Sequence, residues 1–178
     1  LEDFIRANAG HPRSPEAKFT IGVLLRQKGD LIVATLKKTT DSSKKSDLIA
    51  EGDKNFKAAE SYFESLQKEY KKRKDDWWQK TNGRQANPEE VKEEEDISYN
   101  LMDSIYNVPR TLYSHCLLYE AGSKEKTELA NKAVAAFMDF ELDYQDRMKA
   151  FESAIFWALT HKELGEFDKV YQRFDFTI

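Results

Sequence analysis

Apolar residues recur every seven positions through the middle of this chain: Ile49, Phe56, Phe63, Tyr70 and Trp77, with Ala59 and Leu66 between them. A stripe of that period is one face of a long helix, predicted over about Ser46–Gln79 and buried against a neighbour. Lys54, Lys57, Glu60, Glu64, Lys68, Lys71 and Lys72 occupy the other faces. They read as a solvated surface with some pairing between residues one turn apart.

The flanking segments follow the same period. Leu1, Phe4 and Ile5 suggest the last turns of a helix, stopped at Gly10-His11-Pro12 with Gly10 as its left-handed cap. Ser14 then reads as an N-cap, Pro15 as a first helical residue, and Phe19 and Val23 as the buried stripe. Lys28-Gly29-Asp30 is expected to end that helix. Leu31, Ile32, Ala34 and Leu36 would start a shorter one, followed by a polar loop from Thr39 to Ser46. Beyond the long helix, Thr81-Asn82-Gly83-Arg84 marks a loop, and Asn87-Pro88 caps and opens the next helix. Its stripe is Ile97, Leu101, Ile105, Val108, Leu112, Cys116 and Tyr119, interrupted by Pro109, which either kinks the helix or starts a new one. Gly122-Ser123 closes it. A helix from Lys126 to about Tyr144 would face Leu129, Ala133, Ala136, Phe137 and Phe140 inward. One from about Gln145 to Leu164 would bury Met148, Phe151, Ile155, Ala158 and Leu159. Gly165 ends it, and Phe167, Val170, Tyr171 and Phe174 begin a last helix.

Composition supports an all-helical, water-soluble chain. Only 7 Gly and 4 Pro punctuate 178 residues, too few for the many turns of an all-β fold. The aromatic share of 12% supplies a core despite 34% charged residues. A net charge of −4 argues against nucleic acid as a partner, and no apolar run is long enough for membrane insertion. The single cysteine, Cys116, excludes an internal disulfide and any multi-cysteine metal site. It fits the cytoplasm or a bacterial periplasm or cell envelope equally, so the compartment stays open.

Two stretches resemble tetratricopeptide (TPR) helical repeats of the bacterial type. One runs Phe4-Ile5, His11-Pro12, Ser14-Pro15-Glu16-Ala17, Gly22, Leu25 and Lys28-Gly29-Asp30. The other is Ala154, Ala158, then Leu164-Gly165-Glu166-Phe167-Asp168-Lys169-Val170 and Phe174, with Val170 where the family prefers Ala. Leu118-Tyr119-Glu120-Ala121-Gly122, followed by Ala130 and Ala133, is a weaker echo. The segment from Ser46 to Tyr106 departs from the pattern because its helices exceed a repeat of roughly 34 residues. The resemblance implies antiparallel helical hairpins stacked right-handedly into an irregular solenoid of roughly seven helices, with one elongated central hairpin and a partner-binding surface. It supplies no catalytic residue.

Candidate chemistry is sparse. His11, His115 and His161 are the only histidines, and none lies at a metal-ligand spacing. His115 and Cys116 are adjacent, so on a helix they diverge by about 100°, which argues against a nucleophilic pair. Glu93-Glu94-Glu95-Asp96 lacks the glycine turn of a calcium loop and reads as a solvated helix start, with a basic partner as the functional alternative. The carboxylates of Asp139, Glu141, Asp143 and Asp146 have no further chemistry beside them. Lys71-Lys72-Arg73-Lys74 followed by Asp75-Asp76-Trp77-Trp78 is the most unusual run. Trp78 falls off the buried stripe, which makes Trp78, Lys72 and Arg73 the candidate partner contacts. No catalytic, metal or cofactor residue is assigned and no cofactor is expected. Residues 1–178 read as one helical-repeat domain, expected to be a fragment of a longer array, that binds an unidentified protein partner without catalysis. The alternatives are a self-assembling envelope or lattice component, forming a homo-oligomer, and an accessory domain of a larger enzyme.

Overall fold

The computed structural model describes residues 2–8, 11–82 and 84–175. The expectations placed on Leu1, Gly10 and Gly83, and on the side chains of Phe4 and Phe174, fall outside what is described. Seven helices and no strand occur among the described residues: α1 (Glu2–Ala7), α2 (Ser14–Leu36), α3 (Ser42–Thr81), α4 (Pro88–Cys116), α5 (Lys124–Asp143), α6 (Met148–Glu163) and α7 (Phe167–Asp175). Each helix packs on its neighbours in the chain, and α4 also touches both α2 and α6.

The helix ends have local causes. Asp41 caps α3, its carboxylate accepting the amides of Ser43 and Lys44, so the helix starts four residues earlier than predicted and the polar loop shrinks. Asn87 and Glu90 form a capping box at the start of α4, with Pro88 just inside it. Ser123 caps α5. Gly122 and Gly165 adopt positive φ of 78° and 76° between helices. Ser14 is not the cap expected of it. Arg13 holds that position without a side-chain bond, and Ser14 is the first helical residue, fully buried.

The break expected at Lys28-Gly29-Asp30 does not occur, and α2 runs through it unbroken to Leu36. The glycine is there for approach rather than termination. A methyl group at Gly29 would stand 2.5 Å from the Phe56 ring of α3, and one at Gly22 would stand 2.9 Å from the Phe63 ring. Two turns of helix separate Phe56 from Phe63 and Gly22 from Gly29, so both rings seat on bare backbone of the antiparallel neighbour. Pro109 likewise lies within a continuous helix, fully buried.

The core divides along α4. Ala59, Phe63, Leu66 and Tyr70 of α3 pack with Ile97 and Leu101 of α4 and with Phe19 and Val23 of α2. Met102, Tyr106 and Leu112 of α4 pack with Ala133, Phe137 and Phe140 of α5 and Trp157 and Ala158 of α6. Ile105 and Val108 touch both clusters. A third group, Ile32, Val33, Phe56 and Leu118, closes the far end. The inward face of α5 is as predicted, with Leu129 and Ala136 partly covered. On α6, Ala158 is buried and Leu159 partly so as expected, whereas Met148, Phe151 and Ile155 are exposed. Its buried face is Ala150, Ser153, Trp157, Ala158, Thr160 and His161, because Ser153 and Thr160 satisfy their hydroxyls on the carbonyls of Phe137 and Phe156.

Gly29→Ala tests the seat under Phe56. Alanine favours helix by up to about 1 kcal/mol over glycine, whereas forcing a group into packed space costs roughly 1–3 kcal/mol. Thermal denaturation should show net destabilisation, relieved when Phe56→Leu is added. A rise in Tm for Gly29→Ala alone would contradict the packing.

Candidate functional site at the tip of the long hairpin

The α3–α4 hairpin outruns its neighbours. Lys18, near the start of α2, pairs with Glu69 at 2.8 Å, so the last turns of α3 pass beyond the start of α2. There Trp77 and Trp78 part company. The Trp77 indole N–H donates to the Glu90 carbonyl at 2.9 Å, which ties the end of α3 to the start of α4. Trp78 points outward and is 67% exposed. It lines a hollow of about 400 Å³ with Trp77, Val91, Lys74, Asp75 and Glu94. The rings of the two tryptophans are 6.3 Å apart.

Glu90 locks this end. Arg84 grips its carboxylate with two bonds of 2.9 and 2.6 Å, and the Asn87 amide donates to it at 3.0 Å. Those donors hold the carboxyl down to about 2. Along the flanks, Lys80 pairs with Glu93 at 3.1 Å and Lys74 with Glu94 at 3.6 Å.

Of the three predicted contacts, the structure brings only Trp78 to the hollow. Lys72 is exposed on α3. Arg73 turns away, bonding Glu69 at 3.0 Å and lying 5.6 Å from the Tyr70 ring, because Glu69 one turn earlier offers the nearer charge. Trp77, read as core, is half-buried and joins the α3 cluster.

A second constellation was not foreseen. His115, with its side chain 2% exposed, stands between two carboxylates of α3: Nδ1 lies 2.9 Å from Glu60 and Nε2 3.1 Å from Asp53. The ring stacks on Phe56 at 5.3 Å, and the Tyr119 hydroxyl donates to Asp53 at 3.0 Å. Burial opposes the charge of Asp53, but bonds from Lys57, His115 and Tyr119 outweigh it and hold the carboxyl below its ordinary range. Glu60, expected on the solvated surface, is largely covered here: Asp53, Phe56 and Glu60 share one helical face at spacings of three and four, and that spacing beside a buried phenylalanine was the available signal. With both nitrogens engaged, the ring is a fastener between α3 and α4. Cys116 is fully buried beside it, its thiol pushed up to about 12 by burial, as befits a small core residue. His11 is exposed in a turn and accepts the Arg13 amide; His161 is buried and bonds Glu166 at 2.6 Å.

On the α2–α4–α6 seam, Arg26 donates to Asn107 at 2.6 Å, Lys149 pairs with Asp103, and Arg110 stacks 3.7 Å from the Phe156 ring. Burial, then the like charge of Arg110, depresses Arg26. Among the described residues, no three or more His, Cys, Asp or Glu side chains stand together as a metal set, and no helix is long and apolar enough to cross a membrane. Set against protein-family models, curated proteins and solved structures, the chain matches none of them.

The Glu90 lock predicts a pH dependence. A carboxyl held near 2 in the folded chain, against 4.5 ordinarily, contributes its stabilisation above about pH 4.5 and loses it as pH falls toward 2. The Trp77 indole N–H resonance and the amide of Asn87 should shift through that window. In Glu90→Gln the same resonances should stay flat there; an unchanged titration in the variant would remove Glu90 as the lock.

Proposed function

We propose that this chain is a non-catalytic protein–protein interaction or scaffolding module of the TPR-like type, with the tip of the α3–α4 hairpin as its contact surface. One observation carries the reading. A tryptophan stands largely in solvent beside a second tryptophan and a valine, at the end of a hairpin locked by a capping box and a bidentate ion pair. Large aromatic side chains in preformed hollows are where binding energy concentrates at protein interfaces. A rigid support spares the ordering cost that a floppy tip would incur on binding. The sequential packing of α2 to α7, with α4 touching α2 and α6, is consistent with stacked hairpins in a solenoid.

Self-assembly is the second reading, favoured by Met148, Phe151 and Ile155, an exposed apolar line on α6 at spacings of three and four, with Leu142 of α5 also exposed.

Two measurements test these readings. A random twelve-residue peptide library displayed on phage, selected on the wild-type chain and counter-selected on Trp78→Ala, should yield binders that lose about tenfold or more in affinity with the variant, the scale of a hot-spot aromatic. Absence of any Trp78-dependent binder would sink the tip as a contact surface. Light scattering at two concentrations should give the 20.7 kDa of one chain in both. A mass that climbs with concentration and is restored by Phe151→Glu would favour assembly instead.

A further inference from the structure

The hollow at Trp78 does not end at the tip. Lys74 and Glu94 line it, and the same two residues line a second hollow of about 630 Å³ that runs on between α4 and the α5–α6 turn. Together they form one furrow along the side of α4. Val91 lies at its apolar end and Tyr99, 58% exposed, in its far part. Eight residues separate them, about 12 Å along the helix axis.

The two ends differ in chemistry. The near end is Trp77, Trp78 and Val91. The far end is acidic: Glu94, Glu95, Asp96, Asp143 and Asp146 line it, against only Lys74 and Arg147. Lys74 is already engaged by Glu94 and Ser98, and Arg147 by Asp146 at 3.8 Å. Glu95, Asp96 and Asp143 make no ion pair among the described residues. The tyrosine rings of Tyr99 and Tyr144 also line this end, and Lys149, paired with Asp103, lies 5.5 Å from the Tyr99 ring.

We infer that the furrow docks a basic peptide segment of a partner protein, with an apolar side chain seated on Trp77, Trp78 and Val91 and lysines or arginines over Glu95, Asp96 and Asp143. The inference rests on the reading of the tip as a contact surface and names the chemistry of its partner. Charge complementarity selects the occupant. An acidic segment would meet unpaired carboxylates at the far end, and an anionic membrane would meet them along with Asp75 at the rim of the hollow. An extended segment advances about 3.3 Å per residue, so about four residues should separate anchor from charge.

The test uses synthetic twelve-residue peptides and the whole chain. The probe carries two adjacent leucines and, four residues on, three arginines; its controls replace the leucines by serine or the arginines by glutamate. Isothermal titration should show the probe binding, with affinity falling about tenfold or more for each control peptide. The same loss is expected for Trp78→Ala and for Glu95→Lys combined with Asp143→Lys, all exposed positions whose folding circular dichroism can check. Raising the salt concentration should weaken both the probe and the serine control, because both carry the arginines. Equal or tighter binding of the glutamate peptide would overturn the basic-partner assignment, as would probe binding indifferent to the Glu95/Asp143 reversal. Binding to phosphatidylserine vesicles in place of the probe would also overturn it. Sequencing the displayed-library binders separates the two levels: Trp78-dependent binders without basic residues would end this inference and leave the interaction reading standing, whereas no Trp78-dependent binder would end both.

Discussion

The seating of Phe56 and Phe63 on Gly29 and Gly22 is the contact on which the rest of this molecule depends. Two aromatic rings of α3 lie where α2 has no side chains, so the two helices approach closely over two turns. That approach fixes the register of α2 against α3 and leaves the last turns of α3 beyond the start of α2. Everything later in the chain is referred to this pair. Phe63, Leu66 and Tyr70 present the surface on which Ile97 and Leu101 of α4 close, and α4 then carries the second cluster on its other side.

The α3–α4 hairpin is fastened at both ends. His115 between Asp53 and Glu60 fastens the C-terminal end of α4 to α3, and Glu90 with Arg84 fastens its N-terminal end. The span between is packed on both sides, and the tip carries Trp78 largely in solvent. An exposed tryptophan in such a place cannot be attributed to a loose end, because the backbone that holds it is bonded at Trp77, Asn87 and Glu90. The inferred furrow uses the same arrangement, since its acidic wall is the start of α4 that the lock holds in place.

The period-seven stripe of α3, the Asn87-Pro88 start of α4 and the inward face of α5 were legible because each depends on side chains a few residues apart. Trp78 was legible for the same reason, as the tryptophan that breaks the stripe. The Gly29 break was misread because a glycine that ends a helix and one that admits a neighbour's ring look alike until the neighbour is known. The α6 stripe was misread because hydrophobicity alone does not reveal that Ser153 and Thr160 can be buried once their hydroxyls find carbonyls. The carboxylates around His115 were not read: Glu60 was placed on the solvated surface of the long helix, because the partner that covers it lies more than fifty residues away. The furrow needs α5 and α6 beside α4, which no local pattern encodes.

Native-state hydrogen exchange, read amide by amide, tests the central claim most directly. The slowest amides should lie in α2 around Gly22 to Gly29 and in α3 from Phe56 to Leu66, opening only with global unfolding, while residues 74–81 of α3 should exchange through smaller local openings. Slowest exchange confined to α5 and α6, with the Phe56–Leu66 segment opening as readily as the tip, would contradict the dependence of the fold on the α2–α3 contact.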